Sequence, residues 1–234
     1  SVTPTPATAS ATAAYTVNIT TTAAIPAAGT ITLTFPAGTT LPVTIHWTHV
    51  SVAGAVLAVT DPAPVVSGQN VIITIPAAVA PLAAGTFNVV IAQIAGITNP
   101  PIAYTAASNT YIMAVSTSAE GAIGTLAYEI LPAYAINPTS GTRYTLVNVT
   151  GVGWAPNMSV TIGGVLSVVG AIASDGTFSL TAYPVASGNV SIQDGAGQTH
   201  ATPWVGTVTV PTFTLLPTVT VNPISGPVGS TVTI

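Results

Sequence analysis

Threonine and aliphatic residues alternate along most of this chain. Tyr15, Val17 and Ile19 interleave with Thr16, Asn18 and Thr20, and Ile31, Leu33 and Phe35 with Thr30, Thr32 and Thr34. Val43, Ile45 and Trp47 interleave with Thr44, His46 and Thr48. A period of two sends successive side chains to opposite faces of a strand, so each run predicts a strand with one buried face. Further strands are predicted around Val71–Ile75, Phe87–Ile91, Tyr111–Val115 and Ile123–Ile130. Proline and glycine close these runs every ten or so residues, the signature of an all-β sandwich. The alanine-rich stretch 77–84 has a helical composition, but Pro81 interrupts it.

The same reading continues beyond Pro132. Strands are predicted at 143–150, 158–163, 165–172, 177–182, 189–193 and 204–210. Asp175-Gly176 marks a hairpin turn with Phe178, Leu180 and Ala182 on the inner face after it. Asn-Pro-x-Ser-Gly begins at Asn137 and recurs at Asn222, 85 positions on. That interval is the size of one small sandwich. The expected organisation is a Thr/Pro/Ala-rich arm at 1–13, a first sandwich at 14–131, a second at 132–217 and an orphan strand segment at 218–234. The segment repeats the opening of the second sandwich and then stops. A lone strand pair buries too little to fold alone. The expectation is that a larger protein continues past Ile234 or that the segment completes a sheet in another molecule.

Charge changes the picture most. Charged residues make up 3% of the chain, with Arg143 the only base and Asp61, Glu120, Glu129, Asp175 and Asp194 the acids. Soluble domains carry about a quarter. Nucleic-acid binding is excluded, because neutralising phosphates takes several Lys or Arg. Attraction to an anionic membrane surface is excluded on the same ground. No apolar run approaches the roughly 18–20 residues of a spanning helix, so no membrane insertion is expected. The chain has no cysteine, which removes disulfides, thiolate zinc sites and thiol catalysis. Ser1-Val-Thr-Pro-Thr-Pro reads as a mature start.

Four Asn-x-Ser/Thr sequons stand at Asn18, Asn148, Asn157 and Asn189. Asn18 sides with Thr16 and Thr20 on the polar face of its strand, and Asn189 with Ser191 and Gln193. Asn157 follows Ala-Pro in a loop. Asn148 shares a face with Leu146 and is the weakest of the four. Covalent glycans would supply the hydration that charges do not.

Residues 137–141 (NPTSG), 151–157 (GVGWAPN) and 160–164 (VTIGG) resemble the TIG-type immunoglobulin-like modules of bacterial and archaeal surface proteins. Trp154 stands where Phe is usual, and Thr142-Arg143-Tyr144 replaces the usual Pro-Val-Gly. The tail, Ser225-Gly226-Pro227-Val228-Gly229-Ser230-Thr231-Val232, is closer to the pattern. The first half is similar to a second repeat type of such proteins, through 29–36 (GTITLTFP), 96–100 (GITNP) and 115–120 (VSTSAE). The resemblance covers about a third of the chain. It implies two immunoglobulin-like β-sandwiches in tandem, built into stalks, sheaths or filaments, with no catalytic residues and no cofactor.

Candidate chemistry is sparse. His46 and His49 look like a metal pair, but three positions apart on a strand they would face opposite ways. Asp194-Gly-Ala-Gly-Gln holds one carboxylate where calcium wants several. Glu120 and Glu129 are candidates for paired-carboxylate chemistry. No Gly-x-Ser-x-Gly elbow occurs, and Gly163-Gly164 has no helix after it to hold an anion. An enzyme is not expected.

The expected function is therefore a structural subunit of an extracellular filament, polymerising by β-strand addition between identical copies. Val219, Val221, Val232 and Ile234 are the apolar face of the candidate connecting strand, with the arm at 1–13 as the fallback donor. Edge strands normally carry protective charges, and a chain that lacks them is suited to pairing. The alternative is a repeat from a large S-layer or adhesin-stalk protein. A carbohydrate-binding module would need an exposed aromatic platform. Trp47 is expected on the buried face and Trp154 within the family motif, which leaves Trp204.

Overall fold

The computed structural model describes residues 1–102, 110–195, 210–218, 225–229 and 231. They are nearly all strand and turn, and the fold is all-β. The chain divides into two compact units. One comprises Ser1–Ala133, Gly151–Asn157 and Ile172–Thr177; the other comprises Tyr134–Thr150, Met158–Ala171 and Phe178–Ile234.

In the first unit the strands are β1 Val2–Thr5, β2 Ala14–Thr21, β3 Thr30–Thr34, β4 Val50–Val52, β5 Ala55–Val56, β6 Val65–Ser67, β7 Asn70–Thr74, β8 Gly85–Ile91, β9 Thr110–Thr117 and β10 Gly121–Glu129. They form two five-stranded sheets, β1-β2-β8-β4-β5 and β10-β9-β3-β7-β6. The inward sets predicted from alternation make the core: Tyr15, Val17 and Ile19 from one sheet meet Ile31, Leu33, Val71, Ile73, Met113 and Val115 from the other. Tyr15 is the pivot between the layers. Its ring stands edge-on to Phe35 at 5.0 Å and to Tyr128 at 6.1 Å, the geometry that aromatic quadrupoles favour.

Residues 1–13 are not a free arm. They are built into this unit, with β1 pairing antiparallel to β2 from Val2↔Val17 to Thr5↔Ala14. Val2 and Pro4 are buried and alternate with exposed Thr3 and Thr5. This is a period-two strand whose prolines disguise it, and it lies at a sheet edge, where proline is tolerated.

The run at 43–48 is the opposite case. It is irregular, ends in a 3-10 turn at Trp47–His49, and the strand begins only at Val50. Ile45 is buried, Trp47 is half-buried and Val43 is 91% exposed. The alternation is present in sequence, but the run forms no ladder and leads into a turn whose N-cap is His46, its ring accepting from Thr48 N.

The chain continues through β11 Ala133–Asn137, β12 Ser140–Gly141, β13 Val147–Val152, β14 Ser159–Gly164, β15 Val168–Ala171, β16 Phe178–Ala182, β17 Gly188–Asp194 and β18 Thr212–Leu215. Their sheets are β11-β13-β16 and β12-β18-β17-β14-β15. In the second unit, Val147, Val149, Val160, Ile162, Leu166, Val190, Ile192 and Phe213 are buried, and the Tyr134 hydroxyl donates to Val190 O at 2.8 Å. Asp175-Gly176 forms a turn as expected, but it joins strands of different sheets and is not a hairpin. Gly176 has φ +79, and Asp175 Oδ1 accepts from Thr177 N at 3.0 Å and Thr177 Oγ1 at 2.7 Å.

Candidate functional site

The sheet edges of the first unit are β1, β5, β6 and β10. Together they contain no Lys or Arg, and Glu129 at the end of β10 is their one acid. Three of the acids lie in turns, where their carboxylates accept from backbone. Asp61 accepts from Ala58 N at 2.7 Å and Ala77 N at 3.0 Å. Glu120 Oε1 accepts from the Thr22 hydroxyl, from Thr22 N at 2.7 Å and from Ala23 N at 3.0 Å. These bonds favour the ionised form. The Ala77 amide and then the Ala58 amide hold Asp61 below its ordinary range, and the Thr22 hydroxyl leads in holding Glu120 below its own. Asp175 is lowered in the same way, first by the Thr177 hydroxyl. Three of the five acids thus serve turns, and Glu129 is the one charge left on these edges.

The edge at β1 is the most fully specified. Ser1 and Asn18 exchange both backbone bonds, Ser1 N to Asn18 O at 3.0 Å and Asn18 N to Ser1 O at 2.8 Å. Hydrogen-bonded and non-bonded pairs alternate along an antiparallel ladder. Thr3 therefore faces β2, while Val2 and Pro4 direct their main-chain groups outward. Pro4 has no N–H to offer there.

Beyond β1, Asn99 holds the segment down. Its Nδ2 donates to Pro6 O at 2.9 Å and Thr8 O at 2.8 Å, and its Oδ1 accepts from the Tyr15 hydroxyl at 2.6 Å. Ala9 N donates to Leu131 O at 2.9 Å and Leu131 N to Ala7 O at 2.7 Å. In the sequence Asn99 stands out only as part of the GITNP marker at 96–100, which says nothing of a clamp. A shallow cavity of about 230 Å³ lies beside Ser1, lined by Asn18, Ile19, Val115, Ile123 and Leu126 among others.

All four sequon asparagines reach the surface. Asn148, Asn157 and Asn189 are exposed and Asn18 is half-buried. Asn18 Nδ2 donates to Asn88 Oδ1 across β2 and β8 at 2.8 Å. Asn157 sits in a loop at φ +60. Asn148 does share a face with Leu146, but that face is the outer one, since Leu146 is 52% exposed and Val147 and Val149 are buried. Asn148 is thus as exposed as Asn157 and Asn189, and Asn18 is the most engaged of the four. Val219, Val221, Val232 and Ile234 lie outside the described residues, as do His200 and Trp204.

The histidine pair also departs from expectation. Because 43–48 is not a strand, His46 and His49 fall on one side of the 3-10 turn, with ring centroids 5.4 Å apart. His46 Nδ1 is 2.8 Å from Thr48 Oγ1, and its ring leans on Trp47 at 4.7 Å. Among the described residues no three metal-binding side chains cluster. Glu120 and Glu129 flank opposite ends of the nine-residue β10. A separation of roughly 25–30 Å at 3.3 Å per residue rules out shared carboxylate chemistry. Among the described residues no helix is long and apolar enough to cross a membrane.

No family model matches the chain, and no curated protein is similar to it in sequence. The solved structures to which the chain is similar include two pilus proteins. One is the pilus 2b backbone protein of group B streptococcus, at 12% identity and a TM-score of 0.35, over 82% of each chain. The other is the major pilin subunit of Bacillus cereus, at 12% identity and a TM-score of 0.31, over 88% of this chain and 58% of that one.

Proposed function

We propose that this protein is a structural subunit of an extracellular filament, that copies join by β-strand addition, and that sequon asparagines carry its glycans. One observation carries the reading: the sheet edges of the first unit hold a single charge, Glu129, while three of the five acids accept hydrogen bonds in turns. An edge without charged gatekeepers is open to pairing with another chain. A head-to-tail pairing of this kind produces a fibre when its rotation does not close into a ring.

The test is assembly of the purified chain, followed by negative-stain microscopy and light scattering. Filaments with a regular axial repeat support the reading. A population that stays monomeric at high concentration, with or without glycans, overturns it.

A further inference from the structure

We infer that residues 1–9 are an exchangeable strand. In the filament they leave their own sheet and take the same seat in a neighbouring copy. The inference rests on the strand-addition reading above and names both the strand and its acceptor.

The acceptor is visible because the chain's own segment fills it. β1 pairs with residues 14–17 of β2, Val2 and Pro4 enter the core side, and Asn99 clamps two carbonyls beyond the strand. Asn99 is 1% exposed, and all it asks of the segment is the backbone oxygens of Pro6 and Thr8. Leu131 likewise exchanges only backbone bonds, with Ala7 and Ala9. The segment of any copy satisfies these groups as well as the chain's own. It carries no charged side chain, so its transfer desolvates none.

The hinge is the second observation. Ser10 has φ +57, a left-handed conformation that only glycine adopts without penalty. It lies in a tight turn in which Ala11 N donates to Thr8 O at 3.2 Å. A strained short hinge invites exchange of the element it carries. Opening it relieves Ser10 at the loss of the Ala11–Thr8 turn bond, and the neighbour's segment restores the ladder to β2 and the bonds to Asn99 and Leu131. The balance is then set by concentration.

The outer edge of β1 supplies the third. Pro4 presents no N–H on that side, so a ladder built outside β1 lacks a rung. Replacing β1 keeps all rungs. A segment passed from each copy to the next makes a fibre when the rotation between copies does not close into a ring.

The chain has no cysteine, and Thr3 and Thr16 are paired across β1 and β2. Thr3→Cys and Thr16→Cys are made as separate variants, mixed, assembled under reducing conditions and then oxidised. The expected result is a disulfide between copies in a large share of the subunits. The double variant, oxidised as a monomer, is expected to assemble at least tenfold more slowly and to recover on reduction. Ser10→Gly, which relaxes the closed turn, is expected to slow assembly several-fold while leaving the folded circular-dichroism spectrum unchanged. Filaments without inter-copy disulfides, or a locked double variant that assembles at the normal rate, overturn the inference while strand addition stands. If the unmodified chain forms no filaments, the reading beneath it fails and takes the inference with it.

Discussion

The hydroxyl of Tyr15 donates to Oδ1 of Asn99 at 2.6 Å, and both residues are buried. The bond links a core aromatic of β2 to the clamp that holds residues 6–8, so core packing and the seating of the N-terminal strand are one interaction. Replacing one partner orphans the other, at a cost of about 1–3 kcal/mol for each buried polar group left unpaired. Tyr15→Phe is expected to destabilise the protein by about 1–2 kcal/mol. Asn99→Ala, which strips three bonds, is expected to cost about 3 kcal/mol. Denaturant melts of both variants check this. Equal and negligible effects would contradict the clamp.

Stability is expected to hold a broad plateau with pH and to fail at both ends. Asp61, Glu120 and Asp175 have lowered folded-state values, each through hydrogen bonds to its carboxylate. Their contribution is full above the ordinary carboxylate range near pH 4 and is lost as pH falls through the folded values. At the alkaline end, burial raises Tyr15 and pushes Tyr128 up to about 12. Tyr111 and Tyr134 are raised by burial too. An unfolded tyrosine ionises near 10, so stability falls as pH rises from about 10 towards 12. Thermal melts across pH, with tyrosinate absorbance, read this directly. A steady decline across pH 5–9 would contradict it.

Gly163-Gly164 has a structural role. Gly164 lies at φ +79, and an added Cβ would collide with the main-chain oxygen of Asn189 on β17. Gly54, at φ +85, faces open space. Gly164→Ala is expected to cost several kcal/mol and Gly54→Ala about 1 kcal/mol, because only the first adds a steric clash to the strained backbone. Comparing the two melts separates strain from collision.

Glycan occupancy is expected to follow side-chain freedom. Asn18 must give up its bond to Asn88 before its Nδ2 can be modified, whereas Asn148 uses only its Oδ1, accepting from Ser179 Oγ at 3.2 Å. Peptide mapping of native material should show Asn148, Asn157 and Asn189 more occupied than Asn18. Asn18 as the dominant site would contradict this order.

Much of the fold was legible because Thr and aliphatic residues alternate so cleanly in β2, β3, β7 and β8. Each of these strands buries one face and wets the other. The site was less legible. Val2 and Pro4 also alternate, but proline reads as a breaker unless the strand is known to be an edge. Val43, Ile45 and Trp47 alternate without a ladder, and the run leads into a 3-10 turn at Trp47–His49. Asp175-Gly176 announces a turn, and nothing local says which sheets it joins. Asn99 gains its meaning only from carbonyls that lie some ninety residues away in sequence.

The most direct measurement is a cryo-electron microscopy map of the assembled protein that traces the backbone through Ser10. The density before Ser10 is expected to run into the adjacent subunit and lie against that subunit's β2, under its Asn99. Density that turns back onto the same subunit in every copy would contradict the account.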